Sequence, residues 1–505
     1  MAAAVGTTSS SEDHIRPRSP IIANGSIVDG GERQAPEVSP PKSPPAVKRN
    51  THVAIVHSRP RTSCLSHDSQ IAPSFLGFRN LMVIVLIVSN LRLMIENFMK
   101  YGVLICIRCH DYRRQDVLLG LFLYSLVPCH LFVAYVIELA AAQQAKGAIG
   151  RQKRDEGPEN KAVKRREGLR DARSTWRLIA FAHGINATLC LCVTTGVVYW
   201  YIHHPLIGTL CELHAVMVWL KNISYALTNR DLRHSYLDPA KSPPLPSIYA
   251  SQPYPQNITI RNLSYFWWAP TLVYQPVYPR SPRIRWGFVV KRGAEVAVLS
   301  TFIWVASAQY AAPVLRNSLA KMQTLDFTSI LERLMKLSTI SLVIWLAGFF
   351  AFFQSALNGL AEIMRFADRE FYTDWWNSPS VGAYWRTWNK PVYQFMRRHI
   401  YFPLIDRGWN SSVASVVVFL FSGLLHELLV GIPTHNIIGV AFFGMLVQIP
   451  LIASTVPLEK MQGPNGKIIG NTIFWVSFCL VGQPLAALLY FFAWQAKYGS
   501  DLKRP

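Results

Sequence analysis

The residues best placed to do chemistry away from bulk water are the pair His426-Glu427. They lie near the end of Ser411 to Gly431, SSVASVVVFLFSGLLHELLVG, which carries no charge before Glu427. At about 1.5 Å per residue a helix of this length crosses most or all of a bilayer's hydrocarbon core. On a helical period Ser411, Ser415, Ser422 and His426 share one face, with Phe419 between the serines. A polar stripe at membrane depth is costly unless it lines a cavity or meets partners on other helices. Apolar surroundings favour a neutral imidazole, which can take the proton of an alcohol. A histidine that only bonds a neighbouring helix would look the same from this stretch alone.

The second concentration is Phe371-Tyr-Thr-Asp-Trp-Trp-Asn377, followed by Trp388-Asn389-Lys390-Pro391. Two adjacent tryptophans beside a carboxylate and an amide suit a membrane interface, and a simple aromatic anchor would have the same look. The other histidines compete poorly with His426. His14, His52, His57 and His67 fall in a polar tail, while His110, His203 and His204 cap apolar spans. His399 stands beside Arg397 and Arg398 on a helix whose Val392, Phe395, Met396 and Ile400 are expected to lie in the membrane surface. The chain contains neither a His-x-x-x-x-Asp box nor a Gly-x-Ser-x-Gly elbow, so a serine acyl-enzyme has no support. The eight cysteines, Cys64, Cys106, Cys109, Cys129, Cys190, Cys192, Cys211 and Cys479, lie mostly within or beside apolar spans and form no disulfide framework. Cys106-Ile-Arg-Cys109-His110 fits the c-type haem attachment pattern by chance, with no cytochrome domain around it.

The elements that must position these residues are membrane helices. Of 505 residues, 50% are hydrophobic and only 16% charged, with a mean hydropathy of +0.19. That is too little charge for a soluble protein of this length. Residues 1–75 read as a disordered cytosolic tail, rich in Ser and Pro, and 76–505 as one membrane-embedded catalytic domain. About nine crossings follow. They run from about Asn80 to Cys106, Val117 to Ala142, Trp176 to Tyr201, Leu206 to Thr228, Gly293 to Ala312, Leu334 to Leu357, Ser411 to Gly431, Ile437 to Val456 and Thr472 to Trp494. In the first of them Arg92, Glu96 and Lys100 form a ladder of opposite charges.

The net charge of +22 suits anionic headgroups or an acidic soluble substrate, since no soluble basic domain exists to hold nucleic acid. Lys146–Arg177, read as a loop, has eleven Lys/Arg against five Asp/Glu, and Asn229–Arg292 has nine against two. These two stretches and the motif loop belong on the cytosolic side with the tail, which puts Pro505 in the lumen.

The order FYTDWWN, then Asn389, then Ser422-Gly-Leu-Leu-His426-Glu427 resembles the membrane-bound O-acyltransferase family, in the branch that acylates diacylglycerol or sterols. Arg92-Leu-Met-Ile-Glu-Asn-Phe-Met-Lys-Tyr-Gly102, Ala269-Pro-Thr-Leu272, Pro279-Arg-Ser-Pro-Arg-Ile-Arg285, Gln448-Ile-Pro450 and Gly482-Gln-Pro484 follow the same order. The resemblance spans about Gly77 to Tyr498, and the ENFMKYG and PRSPRIR strings favour the diacylglycerol side. The departures are Gln275-Pro-Val before PRSPRIR, an expanded Lys146–Arg177 stretch, and Arg386 within YWRTWN.

The resemblance implies an all-α fold that encloses an intramembrane reaction chamber in the endoplasmic reticulum membrane. It implies acyl-CoA and diacylglycerol as substrates, no cofactor, and a homodimer or homotetramer. His426 and Asn389 take the catalytic roles. Phe371, Tyr372, Asp374, Trp375, Trp376, Asn377, Trp388, Ser422, Glu427, Met445, Gln448 and Gln483 are expected around the substrates. Glu427, about 100° around the helix from His426, more naturally shapes the acceptor or a neighbouring helix than relays the same proton. The intramembrane amides Gln448 and Gln483 also suit helix–helix contacts. Two other functions compete: sterol acylation by the same chemistry, and transport, which would want ionisable groups spread over several facing helices.

Overall fold

Inside a bilayer the backbone must satisfy its own hydrogen bonds, and the long apolar runs do so as helices. The computed structural model describes residues 55–66, 73–98, 113–154, 161–240, 242–307, 311, 314–315, 318, 327–461 and 464–498. No β-strand forms among them; extended pairing is confined to two isolated bridges, Arg61 with Asp368 and Arg280 with Phe366. Seven helical stretches are long and apolar enough to cross a membrane. They are Arg114–Gly150, Thr175–Tyr201, Pro205–Leu237, Phe327–Ile363, Ser411–Gly431, Val440–Lys460 and Asn465–Lys497.

The two remaining expected spans correspond to less complete helices. Helix α1, Leu76–Phe98, begins the first, and its apolar part is Leu76–Ser89. The Arg92 and Glu96 side chains, Lys100 and the Cys106–His110 pattern lie outside the described residues. The fifth span falls on Trp286–Ala306, whose first half carries Lys291, Arg292 and Glu295. The charged stretch Lys146–Arg177 is largely helix rather than loop. It extends Cys129–Arg154 at one end and opens Lys161–Tyr201 at the other. Its alanines, lysines, arginines and glutamates are strong helix formers.

Two buried charges among the described residues are held by partners from other elements. Glu138, on Cys129–Arg154, accepts from His183 at 3.0 Å and from Arg233 at 2.9 Å, and so joins three helices through one buried carboxylate. Lys221 is buried on Pro205–Leu237 and donates to the carbonyls of Phe266, Trp267 and Ala269 at 2.8–2.9 Å. Those carbonyls end the short helix Ile260–Trp268, where a cation complements the helix dipole.

Candidate functional site

Helix α2, Ser411–Gly431, starts under an Asn410 cap, whose side chain accepts from the Ser412 amide at 2.9 Å. One turn before His426 stands Ser422. His426 Nδ1 lies 2.7 Å from the Ser422 carbonyl and 3.4 Å from its hydroxyl. A carbonyl only accepts, so Nδ1 carries the proton and Nε2 of the neutral ring is left as an acceptor. The ring is half-buried, as a group lining a cavity would be.

Glu427 points elsewhere. Its carboxylate accepts from the Gly439 amide at 2.8 Å, the Phe442 amide at 3.2 Å and the Tyr490 hydroxyl at 2.6 Å. The two amides belong to the start of Val440–Lys460, and Tyr490 to the last helix, Gln483–Tyr498. Glu427 thus caps one helix and ties a second to the histidine helix. The 100° offset read from the sequence separates the two neighbouring side chains in this way.

The FYTDWWN segment does not lay its rings in a headgroup layer. Phe371, Tyr372, Trp375 and Trp376 are buried and Asp374 is exposed. Trp375 packs edge-on to Trp345 at 5.3 Å and against Trp475 at 5.6 Å; Trp376 packs against Phe78 at 5.0 Å. Two helices press on this loop through glycines. A Cβ on Gly77 would overlap the Trp376 carbonyl, and one on Gly470 would overlap the Pro379 carbonyl. Asn471 then donates to the carbonyls of Trp376 and Ser378, each at 3.0 Å. Asn377 bonds the Gly77 amide and the Ser74 carbonyl, and Trp376 Nε1 donates to Ser74 at 2.9 Å.

Backbone bonds close the loop on itself. Thr373 donates to Thr387 and Lys390 to Phe371, each at 2.9 Å, which sets Trp388 and Asn389 beside the motif. Trp388 stacks on Tyr384 at 5.8 Å. Asn389 is the N-cap of Lys390–Met396 and accepts from the Val392 amide at 3.3 Å. The loop meets the histidine helix through Trp385, whose ring contacts Phe419 at 5.9 Å. Phe419 is two turns before His426 on the same face, so the polar stripe of α2 faces the motif loop. Gln448 joins the contact by accepting from Trp385 Nε1 at 3.3 Å, and the nearby Met445 is buried. Gln483 opens the last helix, half-buried, and no hydrogen bond joins it to the other candidates among the described residues.

Two histidines sit differently from the sequence reading. His399 is not on a membrane surface: Phe395 and Met396 pack with Leu425 in the protein core, and His399 is 2.8 Å from the Ser224 hydroxyl. The apolar face of that helix is covered by protein rather than lipid. His57 is buried in residues 55–66, with Nδ1 against Asp368 and Nε2 2.8 Å from the Thr271 hydroxyl. The same strap places Arg61 on Glu370 at 2.8 Å, and Glu370 also holds Lys390 at 2.7 Å. Burial alone would raise the Glu370 carboxyl, but the hydrogen bonds and charges of Lys390 and Arg61 outweigh it and hold it below the usual carboxylate range. Ser63 and Tyr372 share the Gln354 side-chain oxygen at 3.0 and 2.5 Å. Neither the strap nor Asn471 stood out in the sequence, because both act through contacts distant along the chain.

A family model described as the membrane-bound O-acyltransferase family matches residues 105–492. Diacylglycerol O-acyltransferase 1C of Glycine max is 36% identical over 435 residues, covering 86% of this chain and 78% of that protein. Diacylglycerol O-acyltransferase 1 of Arabidopsis thaliana is 36% identical over 447 residues, 88% of this chain and 78% of that protein. Diacylglycerol O-acyltransferase 1-2 of Oryza sativa subsp. japonica is 36% identical over 441 residues, with 87% and 85% covered.

Proposed function

The chain belongs to the membrane-bound O-acyltransferase family, and from that premise we propose that it esterifies diacylglycerol with the acyl group of acyl-CoA, making triacylglycerol. The relatives' names support this acceptor over a sterol. The observation that carries the chemistry is the 2.7 Å contact of His426 Nδ1 with the Ser422 carbonyl, from which the tautomer follows. With Nδ1 committed to the Ser422 carbonyl, Nε2 is free to accept a proton on the face that meets the motif loop.

The acceptor hydroxyl gives its proton to His426 Nε2 as its oxygen attacks the thioester carbonyl. The new C–O bond forms, the C–S bond breaks, and the imidazolium returns the proton to the leaving thiolate. The products are the ester and free CoA, so no acyl-enzyme and no cofactor are needed. Asn389 lends its amide to the thioester or the developing oxyanion, while its carbonyl oxygen caps the following helix. Burial of the motif's tryptophans makes this loop a rigid wall, which helps exclude water that would hydrolyse the thioester. Ser422, Met445, Gln448 and Trp388 are the side chains we place nearest the substrates. The reaction takes place within the endoplasmic reticulum membrane, in a homo-oligomer with the motif loop on the cytosolic side.

The test is product analysis. Purified protein given labelled oleoyl-CoA with diacylglycerol, cholesterol and ergosterol in competition should make triacylglycerol as its main product. Steryl ester as the main product would overturn the acceptor assignment.

A further inference from the structure

Away from the His426 stripe, a cavity of about 340 Å³ opens between the strap, the PRSPRIR segment and the end of Phe327–Ile363. Six guanidinium groups line it: Arg61, Arg280, Arg283, Arg285, Arg292 and Arg369, with Glu362 the one carboxylate among its described lining residues. Glu362 serves Arg285 at 3.1 Å and Arg369 at 2.5 Å. Arg61 is held by Asp368 and Glu370, and Arg292 by Glu295 at 2.6 Å. Two arginines remain without a carboxylate among the described residues. Arg280 lies over the Tyr265 ring at 4.2 Å and Arg283 is exposed. Between them the buried Ser281 hydroxyl has no hydrogen-bond partner, nor has the buried Nε of Arg292.

Exposed arginines on a convex surface are ordinarily satisfied by water. Here Arg280 and Arg283 line a concave site together with four carboxylate-paired arginines, a spare hydroxyl and a spare guanidinium N–H. That donor set matches the oxygens of a phosphate group, which takes several charge-assisted hydrogen bonds at once. We propose that this cleft is a binding site for a phosphate-bearing anion, separate from the histidine site. Two sources carry that chemistry. One is a soluble nucleotide bisphosphate such as the head of CoA. The other is an anionic phospholipid, which could enter sideways because Trp286 and Val290 beside the cleft are exposed on an apolar helix. Occupancy would fasten the strap to PRSPRIR, and the cleft wall at Arg369 is two residues from Phe371.

The experiment uses the full chain in two arms. In the first, adenosine 3′,5′-bisphosphate is titrated calorimetrically into purified protein. In the second, the protein sits in phosphatidylcholine nanodiscs with or without phosphatidic acid, and retained lipid is counted by native mass spectrometry. Saturable binding in either arm supports the site and identifies the source, provided R280Q/R283Q weakens it by about tenfold or more, the worth of one charge-assisted hydrogen bond. Ser281→Ala, which leaves every charge in place, should weaken it a few-fold and guards against misfolding of the double variant. No saturable binding in either arm overturns the proposal. So does wild-type binding by a folded R280Q/R283Q protein.

Discussion

Replacing Glu427 by alanine distinguishes a structural carboxylate from a catalytic one. The substitution removes three hydrogen bonds, from the Gly439 and Phe442 amides and the Tyr490 hydroxyl. Bonds to a charged group contribute about 1.5–3 kcal/mol each. They share one acceptor and are not additive, and water can reach freed amides at a helix start, so the net loss should be about 3 kcal/mol. The variant should give a lower yield and a lower melting temperature on size-exclusion thermal scans. Turnover per correctly folded molecule should fall less than tenfold, because Nδ1 of His426 remains fixed by Ser422. A Glu427→Ala protein that melts like wild type but has lost a hundredfold or more in turnover would refute this division of labour.

Other consequences follow from the motif loop and the strap. Gly77→Ala and Gly470→Ala drive a Cβ into backbone carbonyls and should cost at least 1–3 kcal/mol, read as loss of monodisperse protein. Gly147→Ala, with open space around it, should be neutral or slightly stabilising; equal behaviour of all three would contradict the close approach. Asn389→Asp keeps an oxygen for the Val392 amide but loses the amide donor. It should therefore keep normal stability and lose turnover by roughly 10²-fold. Because the folded Glu370 carboxyl lies below its unfolded value, its contribution is present above the unfolded value and is lost only as pH falls through the lower folded one. Residues 55–66 should stay protected from proteolysis at pH 7 and pH 5 and open in stronger acid. Release at pH 6 would argue that another group governs the strap.

Much of the site was legible because its signals are local. The apolar helix around His426, the serine stripe and the FYTDWWN string can each be read from a few consecutive residues, and helical spacing already turned Glu427 away from His426. Competition between protein and lipid for the same apolar faces hid the rest. The Val392–Ile400 face has the composition of an interfacial helix, yet Leu425 and its neighbours cover it. The motif tryptophans suit a headgroup layer, yet glycines at 77 and 470 let helices close over them. His57 looked like tail because its partners, Thr271 and Asp368, stand more than two hundred residues away.

The most direct measurement is turnover by His426→Ala per correctly folded molecule, with size-exclusion behaviour and acyl-CoA binding as folding controls. General-base assistance is worth ~10²–10⁴-fold in rate, so a folded variant that still binds acyl-CoA should retain at most about a hundredth of wild-type turnover. A folded His426→Ala protein with near-normal turnover would contradict His426 as the base.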